Sequence, residues 1–204
     1  MRGLVGIAVF WISIPLAAQI ADIRFSRLDI NTGLSQNHVN CIYKDTIGFI
    51  WIGTMAGLNR YDGNTFKIYK YSATDTTSLS DNFVTSIVQA ADGKIWIGTR
   101  NGFNIFDPRT EIFYHRLPAE LQNSPLQLNQ IVSVFGDANK NIWFITDASG
   151  LIFYQPLLKK WIPICHRKND PASLYDNSVT TMTQDNKGNY WCINRKGMLE
   201  QIDA

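Results

Sequence analysis

The chain has 204 residues, of which 45% are hydrophobic and 18% charged, and its formal net charge is +2. This composition supports a packed core and excludes global disorder. The basic residues are scattered, without a cluster or stripe, which argues against nucleic acid as a partner.

Residues 1–18 read as an export leader. Arg2 supplies the positive start, residues 4–16 form an apolar run interrupted by Gly6, Ser13 and Pro15, and the small residues Ala17 and Ala18 precede Gln19. This order of charge, short apolar segment and small residues marks a secretory signal, with cleavage expected near Ala18. The run is shorter than the ~20 apolar residues a membrane-spanning helix needs. The mature chain, residues 19–204, is thus expected to work outside the cytoplasm. Cys41, Cys165 and Cys192 would meet an oxidising compartment there. They show no CxxC or metal-ligand spacing, and an odd number cannot pair completely, so they read as buried free thiols.

A repeat follows. Trp51, Trp96, Trp143 and Trp191 are separated by 45, 47 and 48 residues, and Asn37, Asn82, Asn129 and Asn177 keep the same increments. Leu34, Leu79, Leu126 and Leu174 lie three residues before each asparagine, and Val39, Val84, Ile131 and Val179 two after. Each copy reads as four short strands. In the first, strands are expected over 39–44, 49–54, 58–61 and 65–71, joined by turns at 45–48, 55–57 and 62–64; Asp62-Gly63 is a strong hairpin signal. Asp45, Asp92, Asp137 and Asp185 are read as turn residues before each tryptophan. A carboxylate needed once per copy is structural rather than a member of a catalytic pair.

The second strand decides the packing. Residues 50–54 (IWIGT) and 95–99 (IWIGT) are apolar on both faces, whereas a sheet with one wet face alternates apolar and polar. Such sheets must stack on copies of themselves, and stacking about an axis gives an all-β fold, a β-propeller of four-stranded antiparallel blades. The expected blades are 34–71, 79–116, 126–165 and 174–203. Residues 23–28 resemble the fourth strands and are expected to act as an outer closing strand, since the last copy stops after its third. A closed four-bladed ring and the first part of a larger propeller both remain open.

The segments 45–63 (DTIGFIWIGTMAGLNRYDG) and 91–108 (ADGKIWIGTRNGFNIFDP), with the linkers 72–82 and 167–177, resemble the two-component regulator propeller repeat. The opening, a leader followed by FSRLDINTGLSQNHVN, is similar to the start of hybrid two-component sensors of Bacteroidetes. The third copy departs from the pattern at Phe144 and Ile145, the fourth at Cys192 and Asn194. The resemblance implies a periplasmic sensor module that responds to an oligosaccharide. Its partners would be the remaining blades and downstream sensor domains of a parent histidine kinase, which would supply the membrane anchor. No cofactor or metal is expected. His38, His115 and His166 occupy unlike places in the repeat, and no nucleophile or phosphate-binding motif is present. The chain itself therefore reads as a non-enzyme, with an exported glycan-processing enzyme or a protein-binding scaffold as alternatives. Ligand-binding candidates are the variable rim residues Arg100, Asn101, Asp147, Arg195 and Lys196, joined by His38 and Tyr175 in the linkers entering strand one.

Overall fold

A computed structural model describes residues 24–115 and 131–203; the expected leader and the markers Leu126 and Asn129 lie outside these residues. Among the described residues, a single 3-10 turn at Ile30–Thr32 precedes fifteen strands. Blade 1 contains β1 (Val39–Lys44), β2 (Ile50–Thr54), β3 (Gly57–Tyr61) and β4 (Phe66–Tyr69). Blade 2 contains β5 (Val84–Gln89), β6 (Ile95–Thr99), β7 (Gly102–Asp107) and β8 (Ile112–Tyr114). Blade 3 contains β9 (Ile131–Gly136), β10 (Ile142–Thr146), β11 (Leu151–Gln155) and β12 (Lys160–Ile164). Blade 4 contains β13 (Val179–Gln184), β14 (Tyr190–Asn194) and β15 (Leu199–Ile202). Each sheet is an antiparallel meander in chain order, and the innermost strands touch in the order β1, β5, β9, β13. The fold is a β-propeller.

The two-faced second strand builds the blade interfaces. Ile95 and Ile97 face blade 1 and cluster with Trp51, whereas Trp96 faces blade 3 and clusters with Ile142 and Phe144. The first three repeat tryptophans each meet an aromatic ring of the next blade: Trp51 lies 5.3 Å from Phe106, Trp96 5.4 Å from Phe144, and Trp143 4.5 Å from Tyr190, between ring centroids. Burial of one such side chain contributes about 2–3 kcal/mol. Trp51, Trp96 and Trp143 are buried, and Trp191, whose face no further blade covers, is half-buried. Gly53 has a steric duty at the first interface. A β-carbon there would lie 2.5 Å from Cys41 Sγ and 2.6 Å from a methyl carbon of Val84.

The turn before the tryptophan is a second recurring unit. Asp45 Oδ1 accepts from the backbone N–H groups of Ile47, Gly48 and Phe49, and Oδ2 accepts from Trp51 Nε1 at 2.8 Å. Asp185 repeats this with Trp191 Nε1 at 3.1 Å, and the indole N–H holds the Asp185 carboxyl below its usual range. Asp92 does not belong to this set. Strand pairing aligns Ala90 with Asp45, and Asp92 sits two residues later, accepting from Lys94 N. Trp96 Nε1 accordingly has no hydrogen-bond partner. In blade 3 the equivalent Asp137 accepts from Tyr190 OH of blade 4 at 2.7 Å. Burial, followed by this bond, pushes the Tyr190 phenol up to about 12.

The expected outer strand at 23–28 is not formed by its described residues, 24–28, and residue 23 lies outside the described residues. Residues 24–28 have no regular structure, and blade 4 ends at β15. Its backbone groups need a ladder partner, and blade 1 is not packed on blade 4 as consecutive blades pack on each other. The open face is visible in exposure: Ile42 is 67% exposed, whereas the equivalent Ile87, Val134 and Met182 are 7%, 5% and 7% exposed.

Two stability measurements follow from these contacts. Asp45→Ala removes acceptors for a buried indole and three amides and is expected to cost about 2–4 kcal/mol in urea unfolding, whereas Asp92→Ala stays within about 0.5 kcal/mol; equal losses would contradict the alignment. Gly53→Ala is expected to cost about 1–3 kcal/mol by overpacking, and a neutral result would show that the blades separate easily.

Candidate functional site

One rim of the propeller gathers the turns between strands two and three together with the linkers entering strand one. Backbone bonds tie them: Gly57 N to Asn82 O at 2.8 Å, Arg100 N to Phe83 O at 3.0 Å, Gly150 N to Asn177 O at 2.9 Å, and Arg195 N to Ser178 O at 2.9 Å. A rigid blade below each turn fixes where the variable side chains stand.

The candidates divide by blade. Asp147 and Arg195 form an ion pair that crosses from blade 3 to blade 4. Lys196 Nζ lies 2.6 Å from Asp176 Oδ2 and 5.8 Å from the centre of the Tyr175 ring. Lys196 draws the Asp176 carboxyl well below the carboxylate range, and Asp176 in turn raises the Lys196 ammonium, so the pair is complete at neutral pH. Arg100 stacks its guanidinium 4.5 Å from the Phe83 ring centre, and the neighbouring Asn101 is exposed. His38 is exposed in the blade 1 linker. The structure thus joins Asp147, Arg195, Lys196 and Tyr175 at blades 3 and 4, and places Arg100 with Asn101 and His38 on other blades.

Two residues of this region were not singled out from the sequence. Asp176 accepts from Ser178 N at 2.8 Å, as Asp81 accepts from Phe83 N at 2.6 Å, so it reads as a turn residue until Lys196 is seen beside it. Glu200 stands at the register of Asn59. Asn59 accepts from Ser35 N at 2.9 Å and donates to Ser35 Oγ and Ile52 O. Glu200 Oε1 takes over the first bond, accepting from Tyr175 N at 2.6 Å, but its buried Oε2 has no hydrogen-bond partner. An alignment of the four copies exposes this Asn-to-Glu exchange. Beside Glu200 and Tyr175 opens a cavity of about 410 Å³, also lined by Leu174 and His166. His166 Nδ1 lies 2.7 Å from the carbonyl oxygen of Leu174, so Nδ1 carries the hydrogen.

Among the described residues, no group of three or more His, Cys, Asp or Glu side chains is placed to hold a metal ion. All three cysteines are free; Cys192 is buried and Cys41 and Cys165 are half-buried. Burial pushes the Cys41 thiol up to about 12 against a smaller opposing effect of the Gly53 backbone, and burial with Glu200 pushes Cys192 to about 11. Both stay protonated at neutral pH, where the thiolate is the reactive form. Iodoacetamide at pH 8 is therefore expected to modify Cys41 and Cys192 only after unfolding, read by peptide mass spectrometry; rapid labelling of Cys41 in the folded chain would contradict its burial.

The family model described as two component regulator propeller matches residues 33–56 and 78–101. "Histidine kinase P4" of Formosa agariphila is 41% identical over 76 residues, which is 37% of this chain and 6% of that protein. The extracellular domain of a putative hybrid two component system of B. thetaiotaomicron superposes with a TM-score of 0.70 at 25% identity, covering 87% of this chain and 25% of that one. A second such domain from the same organism gives 0.63 at 22% identity, covering 83% and 23%. The chain therefore spans a small part of each relative. The blades share one register through all four copies, and the family model matches two of them directly, so the chain carries two copies similar to the two component regulator propeller repeat within a propeller of four.

Proposed function

We propose that this chain is the exported, ligand-sensing propeller part of a two-component sensor, and that its ligand is an oligosaccharide. The observation that carries the reading is the fit of 87% of the chain to the extracellular domain of a hybrid two component system. The charged, apolar and small-residue order of residues 1–18 supports export to the periplasm. In this reading the chain performs no chemistry. It holds a ligand and biases the remaining blades and downstream domains of a parent histidine kinase anchored in the inner membrane.

The rim at blades 3 and 4 is the proposed contact surface. Tyr175 offers a half-exposed ring of the kind that stacks on the apolar face of a sugar, and Asp147, Arg195 and Lys196 supply polar groups around it. Arg100, Asn101 and His38 would extend contact to neighbouring blades if the ligand is long. Internal ion pairing holds these side chains in place beforehand, which lowers the ordering cost of binding.

Calorimetric titration of the full chain with neutral and acidic oligosaccharides tests this reading. Saturable binding without product formation is expected, with affinity lowered about tenfold or more in Tyr175→Ala. Absence of binding across the whole set, or turnover of any sugar, would overturn it.

A further inference from the structure

The turn between the third and fourth strands is the same four-residue loop in blades 2 and 3. In blade 2 it is 108–111 (PRTE), closed by the pair Asp107 and Ile112; in blade 3 it is 156–159 (PLLK), closed by the pair Gln155 and Lys160. Both loops open on proline and end on a residue in the left-handed region, Glu111 at φ 57° and Lys159 at φ 51°. The backbone is shared, and the side chains differ in kind. Blade 2 presents Arg109 and Thr110 at the tip, and Glu111 turns back to Arg60 and Lys67 of blade 1. The blade 1 turn is polar as well, with Asp62 accepting from Asn64 N at 2.8 Å and Thr65 N at 2.6 Å. Blade 3 instead presents Leu157 and Leu158, which are 76% and 69% exposed.

The loop itself does not ask for leucine, since the same path of the chain is made with arginine and threonine. Two adjacent aliphatic side chains held in water are unfavourable unless an apolar phase receives them. Positive charge accompanies them. Lys159 and Lys160 follow directly, and Lys140, in the turn between β9 and β10, stands at the same end of the blade because alternate turns of a meander share an end. All three lysines are exposed, and among the described residues none has a carboxylate partner. The one carboxylate of these two turns, Asp137, is buried and bonded to Asn141 and Tyr190. Blade 3 packs against blade 2 on one side and blade 4 on the other, so its tip owes its exposure to the loop and not to an unfilled neighbouring position.

We propose that this end of blade 3 docks on a membrane surface containing anionic phospholipid. Leu157 and Leu158 enter the boundary between headgroups and acyl chains, and Lys140, Lys159 and Lys160 rest against the lipid phosphates. Lysine beside aliphatic side chains suits that boundary, because its alkyl stem stays with the apolar layer while the ammonium reaches the headgroups. A protein partner fits less well. Stable protein interfaces are broad and poor in lysine, whereas this tip is two leucines wide and ringed by lysines. The turns between strands two and three lie at the opposite end of each blade, so the contact leaves the rim with Tyr175, Arg195 and Lys196 facing away from the lipid.

An environment-sensitive fluorophore reads the tip directly. In the full chain carrying Cys165→Ser, Leu157→Cys is labelled with nitrobenzoxadiazole, and Arg109→Cys, the same loop position in blade 2, is labelled as the control. The apolar run at residues 4–16 is common to both chains, so their difference reports the tip alone. Vesicles containing phosphatidylglycerol are expected to shift the emission at position 157 to the blue and to leave position 109 unchanged, while phosphatidylcholine vesicles have little effect at either. Lys159→Glu/Lys160→Glu should weaken partitioning about tenfold or more, and so should Leu158→Asp, with far-UV circular dichroism confirming the fold of each variant. No change at position 157, an equal change at 109, an equal response to the neutral vesicles, or a change at 157 produced by a protein fraction and not by lipid would overturn the proposal.

Discussion

The second strand of each copy is apolar on both faces, and a four-stranded sheet by itself leaves one of those faces wet. This constraint organises the molecule. Isoleucine or its replacement points to the preceding blade and tryptophan to the following one, so every interface receives an aromatic ring from one side and branched or aromatic side chains from the other. The interfaces also carry polar clips. Gln89 of blade 2 accepts from Thr46 N in the blade 1 turn at 2.9 Å, and Gln184 of blade 4 accepts from Ala138 N in the blade 3 turn at 2.8 Å. Stacking is therefore specified in direction as well as in hydrophobic content.

Departures from the repeat show which parts of it are required. Blade 2 lacks the turn aspartate and leaves Trp96 Nε1 unpaired, yet the indole remains buried, so packing of the ring outweighs its hydrogen bond. Blade 3 carries Ile145 at the register of Gly53, and its interface with blade 4 uses Val179 and Met182 around that side chain. In the same interface Tyr190 replaces the isoleucine of blades 1 to 3 and reaches Asp137. The interface tolerates exchanges of shape when both partners change together, as is usual for close-packed cores.

A scaffold of this kind leaves its turns free to vary, since their conformation is secured by backbone bonds between linker and turn. The rim at blades 3 and 4 concentrates charge on that rigid base, with each cation held by a carboxylate of its own or the neighbouring blade.

The strands, the fold class and the tryptophan register were legible in the sequence, because the positions that bury side chains and those that turn the chain recur at a fixed interval, and both depend only on local residue type. Residues 23–28 resemble an outer strand in pattern, yet residues 24–28 form none in the structure. Tertiary structure alone decided the rest. The reading of Asp92 as equivalent to Asp45 failed because spacing near a turn is ambiguous by two residues until strand pairing sets the register. The pairing of Lys196 with Asp176 and the stranded oxygen of Glu200 depend on which strands and linkers lie beside each other in space. Whether an outer strand finds its sheet depends on which blade stands next to it, and a one-dimensional pattern carries no information about that neighbour.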